Sequence, residues 1–201
     1  MNIIDTKFME WTEALTQEEA KISVFEHIRD IPFAVVPELF SLKKGPEGLL
    51  KLNKGFCVPK HYLMGIMFEK LSIPVKYCTY SFLWKELAFE YPAPLRGLAE
   101  ALPVTYHLAC KITVNNKVIL ADATWDSPLK RYGFPVNEKW DGKSDTCNAA
   151  LPLEEFIHES ADERDRVFDE RLISYSLPEK LALQRFSLEL NRWLEDIRGR
   201  K

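Results

Sequence analysis

Apolar residues return at Ala20, Val24, Ile28 and Ile31, at intervals of four, four and three, which is the stripe of an amphipathic helix. Thr16-Gln17-Glu18-Glu19 stands before it as a capping box, and Pro32 ends it. Residues 33–54 have no clear period, and Pro37, Gly45-Pro46 and Gly48 mark turns there. A second helix is predicted to open near Cys57. Pro59 fits its first turn, where an N–H has no intrahelical partner. Its continuation, Leu63, Met64, Ile66, Met67 and Leu71, is apolar on most sides, so this helix should be buried.

After Ile73-Pro74 the period changes. Val75 to Phe82 is rich in β-branched and aromatic residues and reads as a strand, and residues 84–103 read as irregular or weakly helical. Val104 to Val114 reads as a second strand, Asn115-Asn116 as a tight hairpin turn and Lys117 to Ala123 as the returning strand. Pairing about that turn matches residues whose numbers sum to roughly 231. It brings His107 and Asp122 onto adjacent strands within hydrogen-bonding reach. Residues 127–150 read as a long loop of the kind that forms lids or binding edges. Ser160-Ala161-Asp162-Glu163 is a second capping box. A last helix begins near Pro178 with Leu183, Phe186, Leu190, Trp193, Leu194 and Ile197 facing the core, and Gly199 closes it. The pattern is α+β, read as one domain over residues 1–201 with its core at about 16–126.

Composition narrows the function. A hydrophobic content of 46% and a charged content of 28% are those of a folded globular chain. The net charge of −3 gives no general attraction to phosphate, so nucleic acid is not an expected partner. Arg198, Arg200 and Lys201 read as a solvated end. No apolar run reaches the roughly 18 residues of a membrane span, and Asp5, Lys7 and Glu10 interrupt any leader core. The expectation is a cytoplasmic protein away from the membrane, with its cysteines in a reducing compartment. Nothing in the sequence sets an oligomeric state.

Cys57, Cys78, Cys110 and Cys147 are too scattered for a zinc or dithiol motif. Cys78 and Cys110 read as small buried hydrophobes, and Cys147 as a loop thiol. Cys57 differs, because a glycine turn passes into a helix there and a helix N-terminus favours thiolate over thiol. His107 can serve as its base and Asp122 as the orienting acid, with Asp126 a rival for that role. His61, four residues past Cys57, shares its helix face and is expected to line the cleft or bond a loop. No third and fourth ligand turn Cys57 and His61 into a metal site. Phe56, Trp125 and Trp140 are candidate walls for an acyl group, and His27 and His158 read as surface or cap residues.

The runs Gly55-Phe56-Cys57-Val58-Pro59-Lys60, Leu71-Ser72-Ile73-Pro74-Val75, Tyr106-His107-Leu108 and Leu120-Ala121-Asp122-Ala123-Thr124-Trp125-Asp126 together resemble the transglutaminase-like superfamily, within the papain-like cysteine peptidase fold. The lead-in helix around Val24 to Phe33 resembles it too, so the likeness covers roughly residues 20–126. It implies a nucleophile-bearing helix packed on an antiparallel sheet, with Cys57 as nucleophile, His107 as base and Asp122 as acid. Phe56, His61 and Trp125 are read from their positions as substrate contacts, and at Phe56 and His61 the chain departs from the family pattern. The implied reaction is acyl transfer from a peptide, protein or small amide through a Cys57 thioester, with no metal or organic cofactor. Water as acceptor gives a peptidase or amidase, and an amine gives a transamidase. A binding module that kept the cleft without turnover is the alternative, and acetyl transfer from a thioester cofactor is a third option.

Overall fold

The structure, a computed structural model, describes residues 2–200. Helix α1 (Ile3–Thr12) is not announced by the hydrophobic pattern. The Asn2 side chain caps it by accepting from the Asp5 N–H, and Lys7 pairs with Glu10 at 2.7 Å on its outer side. Helix α2 (Gln17–Asp30) follows the reciprocal Thr16–Glu19 box and buries Ala20, Val24, Phe25 and Ile28. A 3-10 turn at Pro37–Leu39 leads to α3 (Gly45–Leu52), where the sequence markers suggest turns alone. Pro46 lies in the first helical turn and gives up no bond there. Gly48 lets the Leu39 side chain press against the helix, where a Cβ would collide with it.

Helix α4 (Cys57–Lys70) is the buried helix, with Val58, Tyr62, Leu63, Met64, Met67 and Phe68 all in the core. Strand β1 (Val75–Phe82) follows, then a 3-10 turn at Trp84–Glu86 and α5 (Ala93–Glu100), which supplies the weakly helical stretch. Strands β2 (Thr105–Val114) and β3 (Lys117–Ala121) form the hairpin. Asn115 and Asn116 take φ values of 50° and 62°, the left-handed pair that a two-residue hairpin turn requires. Val114 faces Lys117 and Cys110 faces Ala121, the expected register, but the returning strand stops at Ala121.

A 3-10 turn at Ser127–Tyr132 precedes β4 (Glu154–His158), an edge strand whose mostly exposed residues show no strand pattern. The sheet order is β3-β2-β1-β4 with every pair antiparallel, and α4 packs on β1 and β2. The chain is thus a mixed α+β protein built on a four-stranded antiparallel sheet.

Helix α6 (Ala161–Ser174) has half of the expected capping box. Ser160 accepts from the Glu163 N–H, but the Glu163 carboxylate accepts from Glu159 rather than from Ser160. A complete box, Ser176 with Glu179, opens α7 (Leu177–Gly199). Phe186, Leu190, Leu194 and Ile197 of α7 join a hydrophobic cluster that reaches back to Trp11. Arg198 is not part of a solvated end. It reaches inward to buried Asp126, with Nε and Nη2 at 2.7 and 2.6 Å from the two carboxylate oxygens. His158 is buried at the end of β4, contrary to a surface reading, whereas exposed His27 stacks on Trp11 at 4.8 Å. Cys78 and Cys110 are fully buried and Cys147 is exposed. Among the described residues no helix is long and apolar enough to cross a membrane.

Candidate active site

Cys57 is the first residue of α4, so its N–H has no intrahelical acceptor, and no side chain caps this end. Phe56, the N-cap, instead packs at a tilt against Phe40, ring centres 4.5 Å apart. The N-terminal end of the helix field, with its free donors, is thereby left beside the sulfur. Cys57 is 8% exposed and its side chain opens onto a cavity.

His107 and Asp122 meet as the hairpin register requires. The His107 Nε2–H donates to Asp122 Oδ2 at 2.7 Å, which leaves Nδ1 free to face Cys57, with which the ring interacts. Burial disfavours a charged ring, but the Asp122 carboxylate and the Cys57 contact outweigh it and push His107 up to about 10. Asp122 is 1% exposed and accepts four hydrogen bonds. Thr124 gives its N–H at 3.1 Å and its hydroxyl at 2.6 Å to Oδ1, and Ala149 gives its N–H at 2.8 Å to Oδ2. Burial opposes the charge, yet His107, His61 and the Thr124 hydroxyl hold Asp122 well below the ordinary carboxylate range. Asp126, the rival acid, is committed elsewhere: it accepts the Phe33 N–H at 2.8 Å and the Arg198 guanidinium.

His61 does not line the cleft. It has no exposed surface, because α4 turns that side chain under the His107–Asp122 pair. Its Nδ1 lies 2.8 Å from the Cys57 carbonyl, so Nδ1 carries the proton, and Nε2 accepts the Ala123 N–H at 3.0 Å. Both nitrogens are used, which also leaves neither for a metal. The ring thus ties the carbonyl of the nucleophile residue to the backbone beside Asp122. Burial is the main influence on its protonation and lowers it to about 4, against the opposing pull of Asp122.

Because the unfolded ring takes its proton near pH 6.5 and the folded ring only near 4, the unfolded state binds more protons between those values. Stability attributable to His61 is therefore complete above pH 6.5 and falls by about 3 kcal/mol as pH drops to 4. In His61→Gln the amide makes both bonds without titrating. Urea melts at pH 6.5 and 4 should show a smaller acid loss in the variant than in the wild type.

Lys60, which sequence reasoning passes over, is fully buried on the same helix. Its Nζ donates to the carbonyls of Arg29, Ala123 and Thr124 at 2.8, 3.3 and 2.9 Å, one acceptor for each ammonium N–H. Burial pulls the group down to about 7, with nearby Asp126 the strongest opposing charge. The only sequence signal is a lysine inside an otherwise apolar helix. The loop over 133–150 is a fixed edge. Arg29 bonds the carbonyls of Asn137 and Glu138, and the Thr146 hydroxyl accepts from the Asp122 N–H at 2.9 Å.

The cavity beside Cys57 and His107 has a volume of about 410 Å3. Phe56 and Trp125 line it as expected, joined by Phe33, Phe82, Trp84 and Phe168. Trp140 does not; it packs in the core on Phe25 and Phe68. Trp125 is held in place by its Nε1–H to the Ala149 carbonyl at 3.2 Å. No model of a known protein family matches the chain, and no curated protein sequence matches it. The chemistry has to be argued from the side chains themselves.

Proposed function

We propose that the chain is a thiol acyl-transfer enzyme of the transglutaminase-like kind, on the papain-like plan, acting on an amide through a Cys57 thioester. The observation that supports this most is the hydrogen-bonded His107–Asp122 pair beside Cys57, at the wall of an apolar cavity that Cys57 and His107 both line. His107 Nδ1 holds the proton given up by the Cys57 thiol, and the sulfur attacks the substrate carbonyl carbon. The oxygen gains negative charge, and the free Cys57 N–H at the helix start donates to it. As the C–N bond breaks, the imidazolium returns its proton to the departing amine, leaving the acyl group on sulfur. An acceptor, deprotonated by the same ring, then attacks the thioester and releases the sulfur. Asp122 keeps Nε2–H fixed throughout, so Nδ1 always faces the sulfur. Water is the favoured acceptor, since no acidic group among the described residues of the cavity lining would hold an amine.

Intact-mass analysis after exposure to p-nitrophenyl octanoate checks the thioester step. The wild type should gain one octanoyl group that Cys57→Ala does not, and hydroxylamine should remove it. An adduct that persists in Cys57→Ala, or none at all on the wild type, would leave only a binding cleft.

A further inference from the structure

Among the buried charges, Arg164 is the one with a place in the cavity and no use in the chemistry so far described. It is 4% exposed and lines the cavity together with Cys57 and His107. All its partners are neutral. Its Nε donates to Thr79 Oγ1 at 3.3 Å and its Nη1 to the Tyr62 hydroxyl at 3.0 Å, while its plane lies 4.5 Å from the Phe168 ring centre. No carboxylate among the described residues comes within 4.0 Å of it. The nearest negative charge in the bonding chain is Asp165, one step removed, which accepts from the Tyr62 hydroxyl at 3.0 Å. Nη2 has no partner among the described residues, and the residue lines the cavity. Arg171, two turns further along α6, lies 5.1 Å from the centre of the same Phe168 ring and adds positive field.

A guanidinium this far from water costs several kcal/mol unless an anion meets it, and its planar fork suits a carboxylate. The rest of the lining is aromatic and aliphatic. Resting on the acyl-transfer reading, we propose that the cavity takes an acyl donor whose apolar acyl chain ends in a carboxylate, held by Arg164 while the scissile carbonyl lies at Cys57. Tyr62 stands about 7.5 Å further along α4 than Cys57. The carboxylate therefore lies several bonds from the reacting carbonyl.

Two paired probes test this. Calorimetry compares octanoate with octanamide, which share the chain and differ in charge. Octanoate should bind the wild type about tenfold or more tightly, and Arg164→Met should bring the two within about twofold of each other. Arg164→Lys, which keeps the charge and loses the fork, should fall between. Equal binding of the two probes to the wild type, or no binding, overturns the proposal without any variant. A carboxylate preference that survives in a folded Arg164→Met also overturns it, and points to Lys180 in the lining instead. The second pair, p-nitrophenyl octanoate and mono-p-nitrophenyl suberate, reads turnover, where the suberate ester should show the higher kcat/KM in the wild type alone. If octanoate binds as expected but neither ester acylates Cys57, the acyl-transfer reading fails and the ligand class stands.

Discussion

Asp122→Asn is expected to slow acylation of Cys57 by about 10^3- to 10^4-fold, the scale set by losing the acid that orients a catalytic histidine. The hydrogen bonds around Asp122 decide this. Both carboxylate oxygens accept, Oδ1 from the Thr124 N–H and hydroxyl, Oδ2 from His107 and the Ala149 N–H. An amide offers only one accepting atom. If its oxygen faces His107, its NH2 meets the Thr124 N–H, donor against donor. If it turns the other way, the NH2 faces His107, which must then accept at Nε2 and carry its proton at Nδ1, on the sulfur side. The first arrangement buries two donors face to face, and the second takes away the proton acceptor that Cys57 needs.

The pH dependence gives the same prediction a second readout. With Asp122 present, His107 is pushed up to about 10, so it stays an imidazolium able to protonate the leaving amine until pH rises past that value. Stability follows the same sign. A raised histidine contributes fully below pH 6.5 and its contribution is lost as pH rises through about 10. In Asp122→Asn only the Cys57 contact still opposes burial, and the alkaline limb of acylation, followed by nitroaniline release from octanoyl p-nitroanilide, should move to lower pH. A variant within tenfold of the wild type, with an unmoved alkaline limb, would remove Asp122 from the machinery.

What the sequence made readable was local. The Cys57 helix start follows from a glycine turn and a proline that fits only a first turn. The His107–Asp122 meeting follows from counting back from Asn115-Asn116, whose left-handed backbone fixes the register of everything behind it. What stayed hidden was long-range. The Ala149 N–H that completes the shell of Asp122 is backbone, and any residue but proline could supply it. Spacing placed His61 on the helix face of Cys57 but could not say that this side turns under the site rather than toward the cavity. Helix α3 was hidden because glycine serves close packing as well as turns, and β4 because an exposed edge strand has little to alternate. Arg164 reaches the cavity from a helix over a hundred residues past Tyr62, a distance no local pattern spans.

Arg198→Ala carries the largest expected stability change, about 3–5 kcal/mol, because it strips the cation from a buried carboxylate. Sequence position alone assigns this arginine to solvent, five residues into the final turns of α7 from Trp193. Its fork instead closes on both oxygens of Asp126, and Nη2 also donates to the Phe33 carbonyl at 2.9 Å. Phe33 returns its own N–H to Asp126 Oδ1, so the end of α7, the chain after α2 and the segment after Trp125 meet at one carboxylate. Without the guanidinium, Asp126 keeps a single donor from Phe33 in a place where it is 1% exposed. At about 2–4 °C per kcal/mol for a chain of this size, the midpoint of thermal unfolding should fall by roughly 10 °C. The effect reaches the cavity, because Phe33 and Trp125 stack at 4.4 Å and both line it. Arg198→Ala should therefore weaken octanoate binding as well as stability. Pairing it with Asp126→Leu should recover part of the lost midpoint, since no carboxylate then stays buried without its guanidinium, and only part because Lys60 loses the Asp126 charge. A single variant that melts within 2 °C of the wild type, by the same scale, would return Arg198 to the role of a solvated tail residue.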